Sequence, residues 1–189
     1  IETIRAILKR DSIRIGSELI FYETVNSTNL IASELASKGY GEGVVIIADE
    51  QTAGRGRLGR KWLSPKGKNL YLSLILTPPI LPINAPILTL LSGVACCNTL
   101  RKLFSIPVTI KWPNDLILED KKIGGILTEI KADIDKIIHA IVGIGININS
   151  ESEDFPPELR EIATSVKLYI KRDSSRTDIL ITLLKEFQL

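Results

Sequence analysis

The part of the sequence that most restricts the fold is the run from Val108 to Ile148, where short apolar, β-branched segments alternate with charged turns. The pattern predicts strands at 108–112, 116–118, 123–130 and 136–148. Because the turns between them are short, consecutive strands can pair only as antiparallel neighbours. This part of the chain is therefore predicted to be an antiparallel meander.

The remaining segments place further strands and helices around the meander. Apolar runs predict strands at 19–25, 43–49 and 69–77. Helical spacing predicts helices at 1–10, from Leu30 to Gly39, and at 87–104, 157–166 and 177–189. The expected fold is α+β, a mixed or antiparallel sheet with packed helices, in a single domain over residues 1–189.

Charge and apolar content limit the kinds of partner. The chain has 24 Lys and Arg against 22 Asp and Glu, so its net charge of +2 creates no global field for nucleic acid. No apolar run is expected to be long enough to span a bilayer, and the first residues do not resemble a signal peptide. Cys96 and Cys97 are adjacent in an apolar segment, which predicts buried thiols in a reducing cytoplasm.

Positive charge is concentrated in the glycine-rich stretch Gln51–Trp62 and the residues that follow it. From Gly54 to Lys68 there are six basic residues and none acidic. Glycines let backbone N–H groups approach an anion, and arginines match carboxylate or phosphate. The composition predicts a loop that closes over a small anionic, phosphorylated ligand.

Three other interpretations of this loop are less favoured. Gly54–Gly59 fits the dinucleotide pattern G-x-G-x-x-G, but Arg60–Pro65 is a poor helix start and arginines would crowd the backbone. A P-loop is excluded because no Gly-Lys-Ser/Thr follows. A merely flexible surface loop seldom combines three glycines, four basic residues and a tryptophan in nine positions.

Two polar stretches accompany the loop. Asn26–Asn29 precedes a helix, where one such residue suffices as a cap and the surplus could face a ligand. Lys111–Asp115 (Lys-Trp-Pro-Asn-Asp) breaks the apolar strands. Asp115 is a candidate for a magnesium ion and Asn114 for phosphate or metal-bound water. The alternative for both stretches is local bonding to the backbone.

Glycines also interrupt two predicted strands. Gly124–Gly125 indicates close approach by a ligand or another backbone, and Lys122 just before it is placed to contact an anion or to lie solvated in a turn. Gly143, Gly145 and Asn147 share one strand face because side chains alternate. A ligand and a tightly packed helix are equal alternatives for this face.

The sequence offers no nucleophile with a paired base. His139 lies mid-strand among apolar neighbours and is interpreted as structural. The recurring groups are cations, amides and glycines. Such groups can position a substrate and neutralise charge at phosphorus in a reaction where the substrate brings its own nucleophile.

Together these motifs resemble the biotin protein ligase family (biotin–[acetyl-CoA-carboxylase] ligase) over about residues 20–150. The resemblance implies a catalytic core related to the class II aminoacyl-tRNA synthetase and lipoate ligase folds. It also implies the reaction: biotin attacks the α-phosphorus of ATP with Mg²⁺, and the resulting biotinyl-5′-adenylate is attacked by a lysine of a biotin carboxyl carrier domain. The matching motifs are Asn26–Asn29, Gln51–Trp62, Lys111–Leu116, Lys122–Leu127 and Gly143–Asn147.

The same resemblance implies roles for individual residues. The catalytic residues would be Lys122 and Arg55, and Asp115 would hold magnesium. The biotin-binding residues would be Ser27, Thr28, Asn29, Gln51, Gly54, Arg55, Gly56, Arg57, Lys122 and Gly125. The ATP-binding residues would be Arg57, Arg60, Trp62, Lys111, Asn114, Lys122 and Asn147, with Trp62 against adenine. Residues 53–62 are expected to be mobile without ligand and ordered with biotin or the adenylate.

The sequence departs from the family pattern at both ends. No DNA-binding domain is expected before the core, so a monofunctional ligase is expected, and the small C-terminal β-barrel of SH3 type is expected to be absent or truncated. A cytoplasmic homodimer is expected. The nearest rival is a lipoate–protein ligase with the same two steps, and the rival from another class is a non-enzymatic binder of biotin or nucleic acid.

Overall fold

A computed structural model of the protein describes residues 2–16 and 18–188. Ile1 and Leu189, the outer ends of two predicted helices, lie outside the described residues. The strands are β1 (Glu18–Val25), β2 (Val44–Gln51), β3 (Leu70–Leu76), β4 (Thr109–Lys111), β5 (Asp115–Leu118), β6 (Lys121–Ala132) and β7 (Ile137–Ile146).

These strands form a mixed sheet of seven in the order β1-β2-β3-β7-β6-β5-β4. Only β1 and β2 pair in parallel; the other neighbours are antiparallel. The predicted meander is confirmed as β4 to β7. β3 inserts beside β7 and joins the meander to the first half of the chain.

The helices are α1 (Glu2–Arg10), α2 (Thr28–Ser37), α3 (Pro86–Phe104), α4 (Val166–Ile170) and α5 (Arg176–Glu186). The predicted helix at 157–166 is wrong: Pro157–Leu159 makes one 3-10 turn, and α4 begins only at Val166. The backbone of residues 162–164 instead forms a β-bridge with Lys122 of β6. Lys122 N donates to Ile162 O at 2.8 Å, and Thr164 N donates to Lys122 O at 2.9 Å.

Apolar side chains divide between the two faces of the sheet. The larger core packs α1, α3 and α5 on one face. On the other face α2 packs through Ala32 against Ile46, Ile75 and Ile141. α2 lies mainly over β2, β3 and β7, which leaves part of this face, above β6 and the end of β7, for a site.

The segment Pro82–Phe104 corrects one sequence expectation. The most apolar 18 residues of this 23-residue segment have a mean hydropathy of 1.4, so the segment is long and apolar enough to cross a membrane by length and composition. Half of the most apolar part is buried in this fold, where α3 lies against the sheet and α5. Burial raises the pKa of Cys96 and Cys97 on this helix, and both thiols are free, as predicted.

Candidate active site

A cleft of about 660 Å³ lies on the face of the sheet that α2 covers, next to the N-terminal end of α2. Its floor is β6 and β7, one wall is the segment after β2, and the other is the β4–β5 turn. All the predicted site residues except Gly54 line it. These are Ser27, Thr28, Asn29, Gln51, Arg55, Gly56, Arg57, Arg60, Trp62, Lys111, Asn114, Asp115, Lys122, Gly125 and Asn147.

The basic glycine-rich stretch is a hairpin whose base continues from β2. Arg55 and Lys61 form an antiparallel bridge, and Trp62 N donates to Gly54 O at 2.9 Å. A Cβ at Gly54 would overlap the Trp62 carbonyl oxygen, so this glycine closes the hairpin and does not reach the cleft. The tip is a 3-10 turn at Arg57–Gly59 in which Leu58 has a φ of 56° and is 87% exposed.

The end of the cleft next to α2 is polar and buried. Gln51 Oε1 accepts from Thr28 N at 2.8 Å and from Thr28 Oγ1 at 3.1 Å, while Gln51 Nε2 donates to Ser64 Oγ at 2.9 Å. Gln51 of β2 thus satisfies the first N–H of α2. Ser27, although in the cap position, makes no capping bond through its side chain, which leaves its hydroxyl for a ligand.

Asn29 links α2 to the floor of the cleft. Its Oδ1 accepts from Ser73 Oγ at 2.6 Å, and its Nδ2 donates to Glu129 Oε2 at 2.8 Å. A Cβ at Gly143 would overlap Asn29 Oδ1. The tightly packed helix is therefore confirmed at Gly143. Because Gly143 also lines the cleft, the ligand stays a prediction for this face.

Trp62 lies across the glycine floor. A Cβ on Gly145 would lie 2.5 Å from Trp62 Nε1, and one on Gly125 would lie 3.5 Å from Trp62 Cζ3. Trp62 Nε1 is buried and has no hydrogen-bond partner among the described residues. A buried indole N–H normally has an acceptor, so the close packing of Trp62 on Gly145 leaves this donor without one.

Cations lie along the walls of the cleft, from Arg55 near Asn29 to Lys122 beside the β4–β5 turn. Lys122 Nζ lies 2.7 Å from Asp115 Oδ1 and 5.6 Å from the centroid of the Trp62 ring. Arg55 Nη2 lies 3.0 Å from Glu129 Oε1, and Arg57 Nη1 donates to Asn114 Oδ1 at 3.4 Å. Hairpin, β4–β5 turn and floor are thereby connected through their charged and amide groups.

The donor set does not build a resident metal site. Over residues 2–16 and 18–188 no group of three His, Cys, Asp or Glu side chains is close enough to hold an ion. Asp115, the predicted magnesium ligand, is paired with Lys122. One carboxylate of this kind fits Mg²⁺ only where phosphate and water supply the other ligands.

Sequence reasoning missed several residues that hold the site together. Ser64 and Ser73 support Gln51 and Asn29. Glu129 engages Arg55 and Asn29 at once, and the alternation that grouped Gly143 with Gly145 would have placed it on the face of Gly125. Residues 155–163 supply an apolar wall through Phe155, Leu159 and Ile162. That wall was obscured by the mistaken helix.

Residues 21–147 match the model of the biotin/lipoate A/B protein ligase family. The bifunctional ligase/repressor BirA of Bacillus spizizenii is 46% identical over 151 residues, which cover 80% of this chain and 46% of the relative. The biotin–[acetyl-CoA-carboxylase] ligase of Mycobacterium tuberculosis is 33% identical over 137 residues, covering 70% and 50%. The chain spans about half the length of these curated relatives.

Solved structures give the same result for the fold. The biotin protein ligase from Aquifex aeolicus in complex with biotin and ATP has a TM-score of 0.77 at 36% identity, covering 90% of this chain and 68% of that one. The Leishmania major biotin protein ligase in complex with biotinyl-5-AMP has a TM-score of 0.74 at 29% identity, covering 90% and 73%. The predicted fold class is confirmed.

Proposed function

The chain belongs to the biotin/lipoate A/B protein ligase family, and we propose that it activates biotin with ATP and transfers it to a lysine of a biotin carboxyl carrier domain. The observation that carries the proposal is one cleft with two unlike ends. Buried polar groups of Ser27, Thr28 and Gln51 stand at one end, and Arg55, Arg57 and Lys122 stand along the other wall. A polar ring with an anionic tail is the ligand that matches this arrangement.

The polar end of the cleft is suited to bind biotin in preference to lipoate. The ureido ring of biotin carries two N–H donors and a carbonyl acceptor, whereas the dithiolane ring of lipoate carries neither. The free hydroxyl of Ser27 and the rigid Thr28–Gln51 pair can bond to a urea. A site built with such groups discriminates strongly against a ligand that cannot bond to them.

In the first step a carboxylate oxygen of biotin forms a bond to the α-phosphorus of ATP, and the bond to the β-phosphate breaks. Pyrophosphate leaves with the bonding electrons, and biotinyl-5′-adenylate, a mixed anhydride, remains. Carboxylate and phosphate repel each other, so Lys122 and Arg55 would offset that repulsion and the charge that develops at phosphorus. Asp115, 2.7 Å from Lys122 Nζ, orients that ammonium group.

In the second step the neutral amine of the carrier lysine attacks the biotinyl carbonyl carbon. An amide bond forms, the anhydride bond breaks, AMP leaves, and the amine proton passes to solvent. The adenylate must be kept from water until then. The hairpin, with Trp62 over the glycine floor, provides cover of this kind.

For ATP, we assign Arg57, Arg60, Trp62, Lys111, Asn114 and Asn147, which line the cleft. Asn147 also has a structural role, because its Nδ2 donates a hydrogen bond to Thr164 O at 3.0 Å. Mg²⁺ is assigned to the ATP phosphates, with Asp115 as the candidate for one protein ligand.

We further propose a cytoplasmic homodimer that modifies a carrier domain and does not bind nucleic acid. The open sheet edges β1 and β4 support pairing between copies, and the net charge of +2 supports the exclusion of nucleic acid. The two free buried thiols support a reducing compartment.

The direct test is to incubate the protein with Mg²⁺, ATP labelled at the α-phosphate, and biotin or lipoate. A labelled adenylate should form when biotin is present and should not form when lipoate replaces it. Labelled lipoyl-adenylate as the main product would favour the lipoate ligase alternative, and no adenylate with either acid would contradict adenylation.

A further inference from the structure

Glu129 is an acidic residue beside a cleft that is proposed to bind anions. It lies on β6, on the face that carries Gly125 and Leu127, and the described residues that line the cleft do not include it. Its side chain is 37% exposed, so it is held by neighbours and not by deep burial. A carboxylate here works against anion binding unless its charge is used for something else.

Both carboxylate oxygens of Glu129 have partners from different elements. Oε2 accepts from Asn29 Nδ2 of α2 at 2.8 Å, and Oε1 lies 3.0 Å from Arg55 Nη2 of the hairpin. Asn29 is fixed in turn by Ser73 Oγ at 2.6 Å and by Leu127 O at 3.2 Å. The carboxylate is therefore oriented by Asn29 of α2, and Arg55 of the hairpin pairs with its other oxygen.

From this geometry, and resting on the proposed function, we propose that Glu129 is a positioning residue that holds the hairpin closed over the cleft and so prolongs retention of the adenylate. Glu129 acts on the ligand through Arg55 and Asn29 and does not touch the reacting atoms. The rate at which the adenylate escapes should therefore depend on Glu129, whereas the chemical step should depend on it much less.

Glu129→Gln keeps the size and an acceptor for Asn29 but removes the charge that attracts Arg55. Because both partners are partly exposed, the pair has the strength of a surface ion pair. Release of preformed adenylate into excess unlabelled biotin and ATP should become about two- to five-fold faster. Pyrophosphate exchange at saturating biotin and the melting temperature should stay close to those of the unchanged protein.

Glu23→Gln is the matched control, because Glu23 forms an exposed ion pair with Lys66 at 3.5 Å and does not line the cleft. Its release rate should equal that of the unchanged protein. An unchanged release rate in Glu129→Gln, or equal acceleration in both variants, would overturn the proposal. If the unchanged protein forms no adenylate, the proposed function itself fails, which is a distinguishable result.

A second measurement avoids any effect of the substitution on folding. In the unchanged protein, raising the salt concentration screens the Arg55–Glu129 attraction and should accelerate adenylate release. The acceleration should be smaller in Glu129→Gln if that variant folds. A release rate of the unchanged protein that does not rise with salt would contradict the role of the ion pair.

Discussion

Lys122 is the residue whose removal should cost most in chemistry. Its Nζ lies between Asp115 and the Trp62 ring, in the part of the cleft assigned to carboxylate and α-phosphate. Lys122→Ala should slow adenylate formation by ~10²–10³, as is usual for loss of one preorganised donor. The measurement is pyrophosphate exchange at saturating substrates.

Lys121→Ala is the control for this substitution. Lys121 has the same charge and is the next residue, but its nearest acid is Glu161 at 4.0 Å and it does not line the cleft. Equal losses in the two variants would mean that general positive charge, and not the position of Lys122, is responsible.

Gly143 is a position where a single methyl group should disturb the polar end. Gly143→Ala would push Asn29 away from Ser73 and Glu129, since the added Cβ overlaps Asn29 Oδ1. We expect a stability loss of about 1–3 kcal/mol and weaker biotin binding, measured by thermal unfolding and calorimetry. Gly41→Ala, with nothing within 4 Å of its added Cβ, should change neither quantity.

His139 should make stability depend on pH. Burial and the positive charge of Lys131, its partner across the strands, lower the pKa of His139 in the folded protein. The unfolded chain takes up a proton near its ordinary value of about 6.5, whereas the folded protein does not until a lower pH. The free energy of unfolding should therefore fall as pH drops below about 6.5.

The measurement is denaturant unfolding between pH 8 and pH 5, compared with His139→Asn. The variant should lack this part of the pH dependence. The same slope in both proteins would show that other groups cause it.

At the scale of the elements, the hairpin at 51–64 is the part expected to respond to ligand. Its tip is exposed, and its arginines contact the rest of the structure through the Arg55–Glu129 ion pair and the Arg57–Asn114 hydrogen bond. Trypsin should cleave after its arginines readily in the free protein, and biotin with ATP should slow cleavage several-fold. Equal cleavage with and without ligand would contradict closure over the adenylate.

The elements differ in how far the sequence could predict them. The strands of the meander were predictable because apolar residues alternate with charged turns over short distances. Residues 157–166 were not, because their helical spacing competes with backbone bonds to Lys122, a partner about 40 residues away that periodicity does not include. The hairpin was expected as a loop because its bridge between Arg55 and Lys61 leaves no apolar pattern.

Site residues with direct chemistry were more predictable than those that support them. Glycine, arginine and amide clusters stand out in the sequence, and the cleft brings nearly all of them together. Glu129, Ser73 and Ser64 act through contacts between distant segments, so their residue type alone gives no signal. Asp115 was assigned to magnesium, while its ion pair with Lys122 was not predicted.

For the molecule as a whole, magnesium should matter for the reaction and not for the fold. No cluster of metal-binding side chains holds the described residues together. Chelation of Mg²⁺ should therefore abolish adenylate formation while the melting temperature without nucleotide stays unchanged. A fall in melting temperature on chelation would show a resident structural ion.

We propose that this cleft joins biotin to ATP. The most direct measurement is exchange of labelled pyrophosphate into ATP with Mg²⁺, with no acid, with biotin and with lipoate. The structure predicts exchange with biotin alone, because the urea-binding end and the Lys122 end lie in one cleft. Exchange with lipoate but not biotin, or with neither, would contradict the account.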